Sequence, residues 1–219
     1  MKNRKKVLAA LMAGVMTLSM STAVFAAEDG YAVKATNTDA KSKDNDLVIA
    51  IEGSVSSMDP ANIPDTNAIS ATRGCYEMLI TFNENQELEG QLAESWEVSE
   101  DSLTYTFHLR EGVKFSDGTD FNAAAVVANY ERIIDPENKL RQRRTYVVAQ
   151  PDGTEKFRVE SIETPDDYTV VFKLTEAWSP FINRMTQFCM ISPAALEEYG
   201  NDIMNHPVGT GPFICTEWE

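Results

Sequence analysis

This sequence is poor in the side chains that perform chemistry. It holds two histidines and three cysteines in 219 residues, with no CxxC pair and no Cys/His grouping at metal-ligand spacing. No serine sits in a GxSxG setting, no cysteine has a histidine close to it in sequence, and neither HExxH nor a P-loop occurs. His108 falls on the polar side of an alternating run and His206 precedes Pro207, settings that suit solvated imidazoles. Gly209-Thr210-Gly211-Pro212 is a tight turn rather than a dinucleotide fingerprint. The expectation is a protein that is not an enzyme and has no metal site and no cofactor.

Long apolar runs and positive charge are scarce too. One apolar stretch, Val7 to Met20, follows Lys2, Arg4, Lys5 and Lys6 and leads into Val24-Phe25-Ala26. Small residues at the −3 and −1 positions mark a cleavage site, and the run is short for a membrane span. Residues 1–26 therefore read as a signal peptide. No cysteine follows the apolar run closely, so the expected location is periplasmic or extracellular without a lipid anchor at that place. The chain has 19 Lys+Arg against 34 Asp+Glu, net −15, and removal of residues 1–26 leaves 15 against 34, net −19. Such a field opposes nucleic acid and anionic membranes. The odd set Cys75, Cys189 and Cys215 allows one disulfide, with Cys189–Cys215 the favoured pair, or three buried thiols.

What remains is ordinary globular material, 43% hydrophobic. Residues 27–46 are small, polar and charged, and read as a flexible tether. Leu47 to Ile51 reads as a buried strand, Ser57 to Asn67 as a loop, and about Ala68 to Leu79 as a helix, with Ile69, Tyr76 and Leu79 partly in phase. Leu103, Tyr105, Phe107 and Leu109 alternate with polar residues, as do Tyr168, Val170, Phe172 and Leu174; both runs predict half-buried strands. Trp96 and Val98 suit an antiparallel neighbour for the first. Ala123 to Ile134 predicts a helix capped by Asn122, stapled by Phe121 and Val126, and stopped at Asp135-Pro136. The class is α/β, of the mixed α+β kind, with an antiparallel meander in the middle.

One stretch breaks the acidic pattern. Arg141-Gln142-Arg143-Arg144-Thr145-Tyr146 places three arginines in six residues. A guanidinium fork can hold a carboxylate bidentately; the same cluster would equally serve as a set of salt bridges to neighbouring acids.

The region LAESWEVSEDSLTYTFHLREGVKFSDGTDFNAAAVVANYERIIDP resembles the signature of the family 5 solute-binding proteins of ABC importers. Met58-Asp59-Pro60, Tyr76-Glu77-Met78-Leu79, Ile191-Ser192-Pro193-Ala194-Ala195-Leu196 and Pro207-Val208-Gly209-Thr210-Gly211-Pro212-Phe213 match in order and spacing. DGTDFNAAAV and MISPAALEEYG look most like the glutathione-binding branch. The resemblance implies a bilobal, periplasmic-binding-protein-like fold: a first segment of domain I at 47–90, domain II at 91–200, and a return to domain I at 201–219. Members are typically more than twice this length, so it also implies a fragment, or a chain whose missing lobe comes from elsewhere. The function it implies is capture of small peptides, of dipeptide, oligopeptide or glutathione type, by a monomer that delivers them to membrane permease subunits. Nickel or a metal chelate is the alternative ligand, and a non-functional truncated fragment the alternative fate. The binding residues it implies are Ile63, Thr66 and Asn67 after the aspartate-proline pair, and Arg141, Arg143, Arg144 and Tyr146 after the helix, with Arg143 the foremost carboxylate binder.

Overall fold

The computed structural model describes residues 52–63 and 65–217. The expected signal peptide, tether and Leu47–Ile51 strand lie outside the described residues. Among the described residues no helix is long and apolar enough to cross a membrane.

Period-two runs become the central sheet. Strands β3 (Ala93–Val98), β4 (Thr104–Leu109), β7 (Val159–Asp166) and β8 (Thr169–Leu174) pair antiparallel in the order β3-β4-β8-β7. Trp96 stands opposite Phe107 and Val98 opposite Tyr105, the pairing expected from sequence. Tyr105, Phe107 and Leu109 of β4, and Val170, Phe172 and Leu174 of β8, all turn inward and are buried. Two further pairs, β1 (Ile80–Phe82) with β2 (Leu88–Gly90) and β5 (Val147–Ala149) with β6 (Glu155–Phe157), form small two-stranded sheets.

Helix α2 (Ala123–Ile134) follows α1 (Thr66–Thr72) in the chain and lies against β7 and β8. Its start is the one expected: Asn122 has extended backbone, and its side chain accepts from the Ala125 N–H at 3.1 Å. Phe121 and Val126 are both fully buried in the main core. Asp135 ends the helix and caps the short turn that follows by accepting from the Glu137 N–H. Short helices α3 (Arg143–Tyr146), α4 (Phe181–Met185) and α5 (Pro193–Tyr199) complete the set. The main core is aromatic: Phe107 meets Phe172 edge-on at 5.9 Å, and Tyr130, Tyr146, Phe181 and Phe188 join the same cluster. A fully buried ring of this size stabilises by about 1.5–3 kcal/mol.

The segment Val113–Phe121 is a small hairpin. Phe115 N–H bonds Thr119 O at 2.9 Å and Phe121 N–H bonds Val113 O at 2.9 Å, with Gly118 turning at φ 88°. Asp117 takes hydrogen bonds from Thr119 and from Ser192, the N-cap of α5, while Ser116 N–H donates to Gly209 O at 2.9 Å. Gly209 itself has no room for a side chain, because a Cβ there would fall 2.2 Å from Cys75 O. The hairpin thus clamps three distant sequence blocks together.

One expectation needs correction. The helix expected over Ala68–Leu79 ends at Thr72; Arg73–Cys75 form a turn, and the chain then leaves the helix path toward β1. Its N–H groups close the turn locally, while its carbonyls are taken by another segment, Gly211 N–H to Cys75 O at 2.9 Å and Phe213 N–H to Gly74 O at 3.0 Å, and Met78 bridges to Cys189. Ile69, expected on the apolar face, is exposed, whereas Tyr76 and Leu79 are buried by those other segments. Of the two readings left open for the cysteines, one disulfide or unpaired thiols, the structure has the second. All three thiols are free and gather around a second, smaller core with Met58, Tyr76 and Ile191. Burial pushes the Cys75 thiol up, an effect reinforced by neighbouring Cys215, and pushes Cys189 up to about 12. Thiols kept neutral in this way are poor nucleophiles.

Candidate ligand-binding cleft

Asp59 decides where the loop before α1 lies. It is buried, its carboxylate accepts from Ala61 N–H at 3.0 Å, and it meets the Arg132 guanidinium through both oxygens, at 3.2 and 2.7 Å. Arg132 sits near the end of α2, so the pair ties the loop to that helix. Gln142 then links this loop to the segment before α3: its N–H bonds Ala61 O at 3.0 Å, and its side-chain amide bonds Gln187 O at 3.0 Å.

Between these tethered segments is a cleft of about 580 Å³. Ile63, Met78 and Trp178 supply apolar wall, and Thr72, Thr145 and Gln187 supply neutral polar groups. Its charged side chains are Arg73, Arg141, Arg144, Arg158 and Arg184, with no aspartate or glutamate among them. Arg158 is held differently from the others. Its N–H bonds Tyr146 O at 2.8 Å, its carbonyl accepts from Thr175 N–H at 3.0 Å, and its guanidinium carbon stands 4.5 Å from the centre of the Trp178 ring. The remaining four are exposed at their residues. Cys189 also lines the cleft, neutral for the reason given above.

Of the residues expected from sequence, Ile63, Arg141 and Arg144 meet in this cleft. Thr66 opens α1 at an exposed position, and Asn67 donates from its side chain to Glu52 O at 2.6 Å; neither lines the cleft. Arg143 is closed by its own chain: Nη1 and Nη2 each bond a Glu155 oxygen at 2.7 Å, and Nε bonds Ile134 O at 2.7 Å. The Arg143 guanidinium beside it holds the Glu155 carboxyl below its ordinary value. Three of its five N–H groups are engaged within the chain in this way, and Arg143 does not line the cleft. Tyr146 has no exposure and packs on Tyr130, Trp178 and Phe188. Arg73, Arg158 and Arg184 were missed by sequence reasoning. Each is a lone arginine in its own stretch, and only the fold brings them to one place. Among the described residues no trio of His, Cys, Asp and Glu is placed to hold a metal ion.

Solved structures with this fold define the class. AgaA from A. tumefaciens R10, in complex with agropinic acid, superposes with TM-score 0.67 at 31% identity, covering 76% of this chain and 32% of that one. DppA from Helicobacter pylori, in complex with the peptide STSA, gives 0.61 at 33% identity, covering 75% and 35%. These are periplasmic binding proteins, and the mixed α/β fold is theirs. Residues 87–219 match the sequence model of bacterial extracellular solute-binding proteins, family 5 Middle, and the chain belongs to that family. The glutathione-binding protein GsiB of Shigella dysenteriae serotype 1 is 38% identical over 207 residues, 94% of this chain and 35% of that protein. GsiB of Escherichia coli K12 is equally similar over the same length. The chain therefore spans about a third of the length of these relatives.

Proposed function

We propose that this chain is the ligand-capturing part of an ABC importer's substrate-binding component, exported to the periplasm or cell surface, and that its cleft takes small peptides by their carboxylates. The observation that carries this reading is the cleft's charge: five arginines and no acid on the wall of one cavity, in a chain with 34 acidic residues. A volume of about 580 Å³ is in the usual range for a small-molecule site and suits a ligand of two or three residues. Relatives named for glutathione binding and a neighbour solved with a peptide support the same ligand class.

On this reading residues 47–90 and 201–219 belong to one lobe and 91–200 to another. A further lobe closes over the ligand by hinge motion, as in other binding proteins of this architecture, and the loaded protein docks on permease subunits. Ile63, Arg141 and Arg144 contact the ligand, joined by Arg73, Arg158 and Arg184. Titration calorimetry with glutathione and with di- and tripeptides tests the proposal, run on this chain alone and with a covering lobe supplied from a longer family member. Saturable binding that tightens when the lobe is added is expected. Equal and negligible heats in both arrangements would sink the peptide reading.

A further inference from the structure

The distribution of cations across the fold says more about the ligand than its size does. Between residues 52 and 217 there are eight arginines and four lysines. Five of these twelve line the cleft. Of the seven outside it, five pair with carboxylates: Lys114 with Asp120, Arg132 with Asp59, Arg143 with Glu155, Lys156 with Glu176 and Lys173 with Glu163. Among the described residues none of the five cleft arginines has a carboxylate partner. Acids are abundant everywhere else, so this wall is set apart from the rest of the surface.

Five guanidiniums around one cavity repel one another, and negative charge brought by a ligand relieves that repulsion. One carboxylate fills one guanidinium fork. A ligand with a single carboxylate and an ammonium would leave most of the forks unmatched, and its own cation would face theirs. Within the set, Arg158 is the fixed member. Stacking on Trp178 and two backbone hydrogen bonds restrain it, and its Nε is buried with no partner. Arg73, Arg141, Arg144 and Arg184, on exposed positions, can adjust to ligands of differing length.

We infer that the cleft selects solutes bearing two or more carboxylates, with Arg158, held on Trp178, anchoring one of them. This inference rests on the reading of the cleft as the ligand site and sharpens its substrate class. The test is calorimetry on the full chain at low and at moderate salt with four probes: Gly-Gly-Gly, Glu-Gly-Gly, Glu-Gly-Glu and glutarate. Affinity is expected to rise about tenfold with each carboxylate added to the tripeptide, and the rise is expected to shrink with salt. Arg158→Gln should weaken Glu-Gly-Glu about tenfold, Arg158→Lys less, since it keeps the charge and loses the fork. Should Arg158→Gln fail to fold, Trp178→Phe, which weakens the stack, should reduce the same affinity in a folded protein. Equal affinities for the three tripeptides would overturn the carboxylate selection and leave peptide capture standing. Glutarate binding as tightly as Glu-Gly-Gly would uphold the selection and overturn the peptide reading. Heat from none of the four probes would overturn both, and unchanged affinity in the Arg158 and Trp178 variants would remove the anchor.

Discussion

The hairpin corner around Asp117 and the arginine cleft are both polar, and they treat polarity in opposite ways. At the corner the polar groups close on one another: Ser192 and Thr119 donate to Asp117, and Ser116 donates to Gly209. In the cleft, five guanidiniums face a cavity that offers them no carboxylate. The first arrangement is complete once the chain has folded; the second is completed by whatever brings negative charge to it. One short segment contains both kinds, with Arg143 closed on Glu155 and its neighbours Arg141 and Arg144 open. On the proposed reading, function in this fold is marked by what the chain leaves unpaired.

The largest effect should come from breaking a closed pair in the interior. Asp59 and Arg132 expose only 4% and 9% of their side chains, so Asp59→Ala strands a cation away from water. A loss of about 3–5 kcal/mol is expected in urea denaturation, together with weaker ligand binding as the cleft loop comes adrift. A loss below about 1 kcal/mol would show that water reaches the pair and that it belongs with the open arginines. The opposite pattern is expected for Arg141→Gln combined with Arg144→Gln. Both positions are exposed, so stability should stay within about 0.5 kcal/mol for each, while affinity for an acidic tripeptide falls tenfold or more. A stability loss with unchanged affinity would invert the comparison.

Much of the closed architecture was legible in the sequence, because it is specified locally. Alternation along Leu103–Leu109 and Tyr168–Leu174 wrote out two strands of the sheet, and Asn122, Phe121 and Asp135-Pro136 bounded α2. The helix expected past Thr72 failed where local pattern was overruled from a distance, by hydrogen bonds from Gly211 and Phe213. The open site was legible only in part. A cluster in sequence pointed to Arg141 and Arg144, but nothing local distinguishes Arg143, whose partner Glu155 is twelve residues on. Arg73, Arg158 and Arg184 are scattered, and their convergence is a property of the fold alone.

A smaller effect separates the corner from the cleft by pH. Burial raises the pKa of Asp117, but hydrogen bonds from Ser192 and Thr119 outweigh it and hold the carboxyl below its ordinary value. A group depressed on folding contributes stability above its unfolded pKa, about 3.9 for aspartate, and that contribution disappears as pH falls through the folded value. Ser192→Ala, which also removes the cap of α5, should cost about 1 kcal/mol at pH 7. The gap from wild type should narrow in urea titrations below about pH 4. A gap independent of pH would assign the whole effect to the cap.

The smallest expected change bears most directly on the comparison. Tyr146 was expected at the ligand from sequence, and its backbone carbonyl does hold Arg158. Its ring, however, has no exposure, and its hydroxyl is buried without a hydrogen-bond partner. A buried hydroxyl that bonds nothing has given up its hydration for no return. Tyr146→Phe keeps the ring contacts with Tyr130, Trp178 and Phe188 and removes only that oxygen. It should therefore be neutral or stabilising by up to about 1 kcal/mol, with peptide affinity unchanged. Lost affinity at full stability would place the hydroxyl in the binding site after all, and would mean that the aromatic core and the cleft are not separate regions.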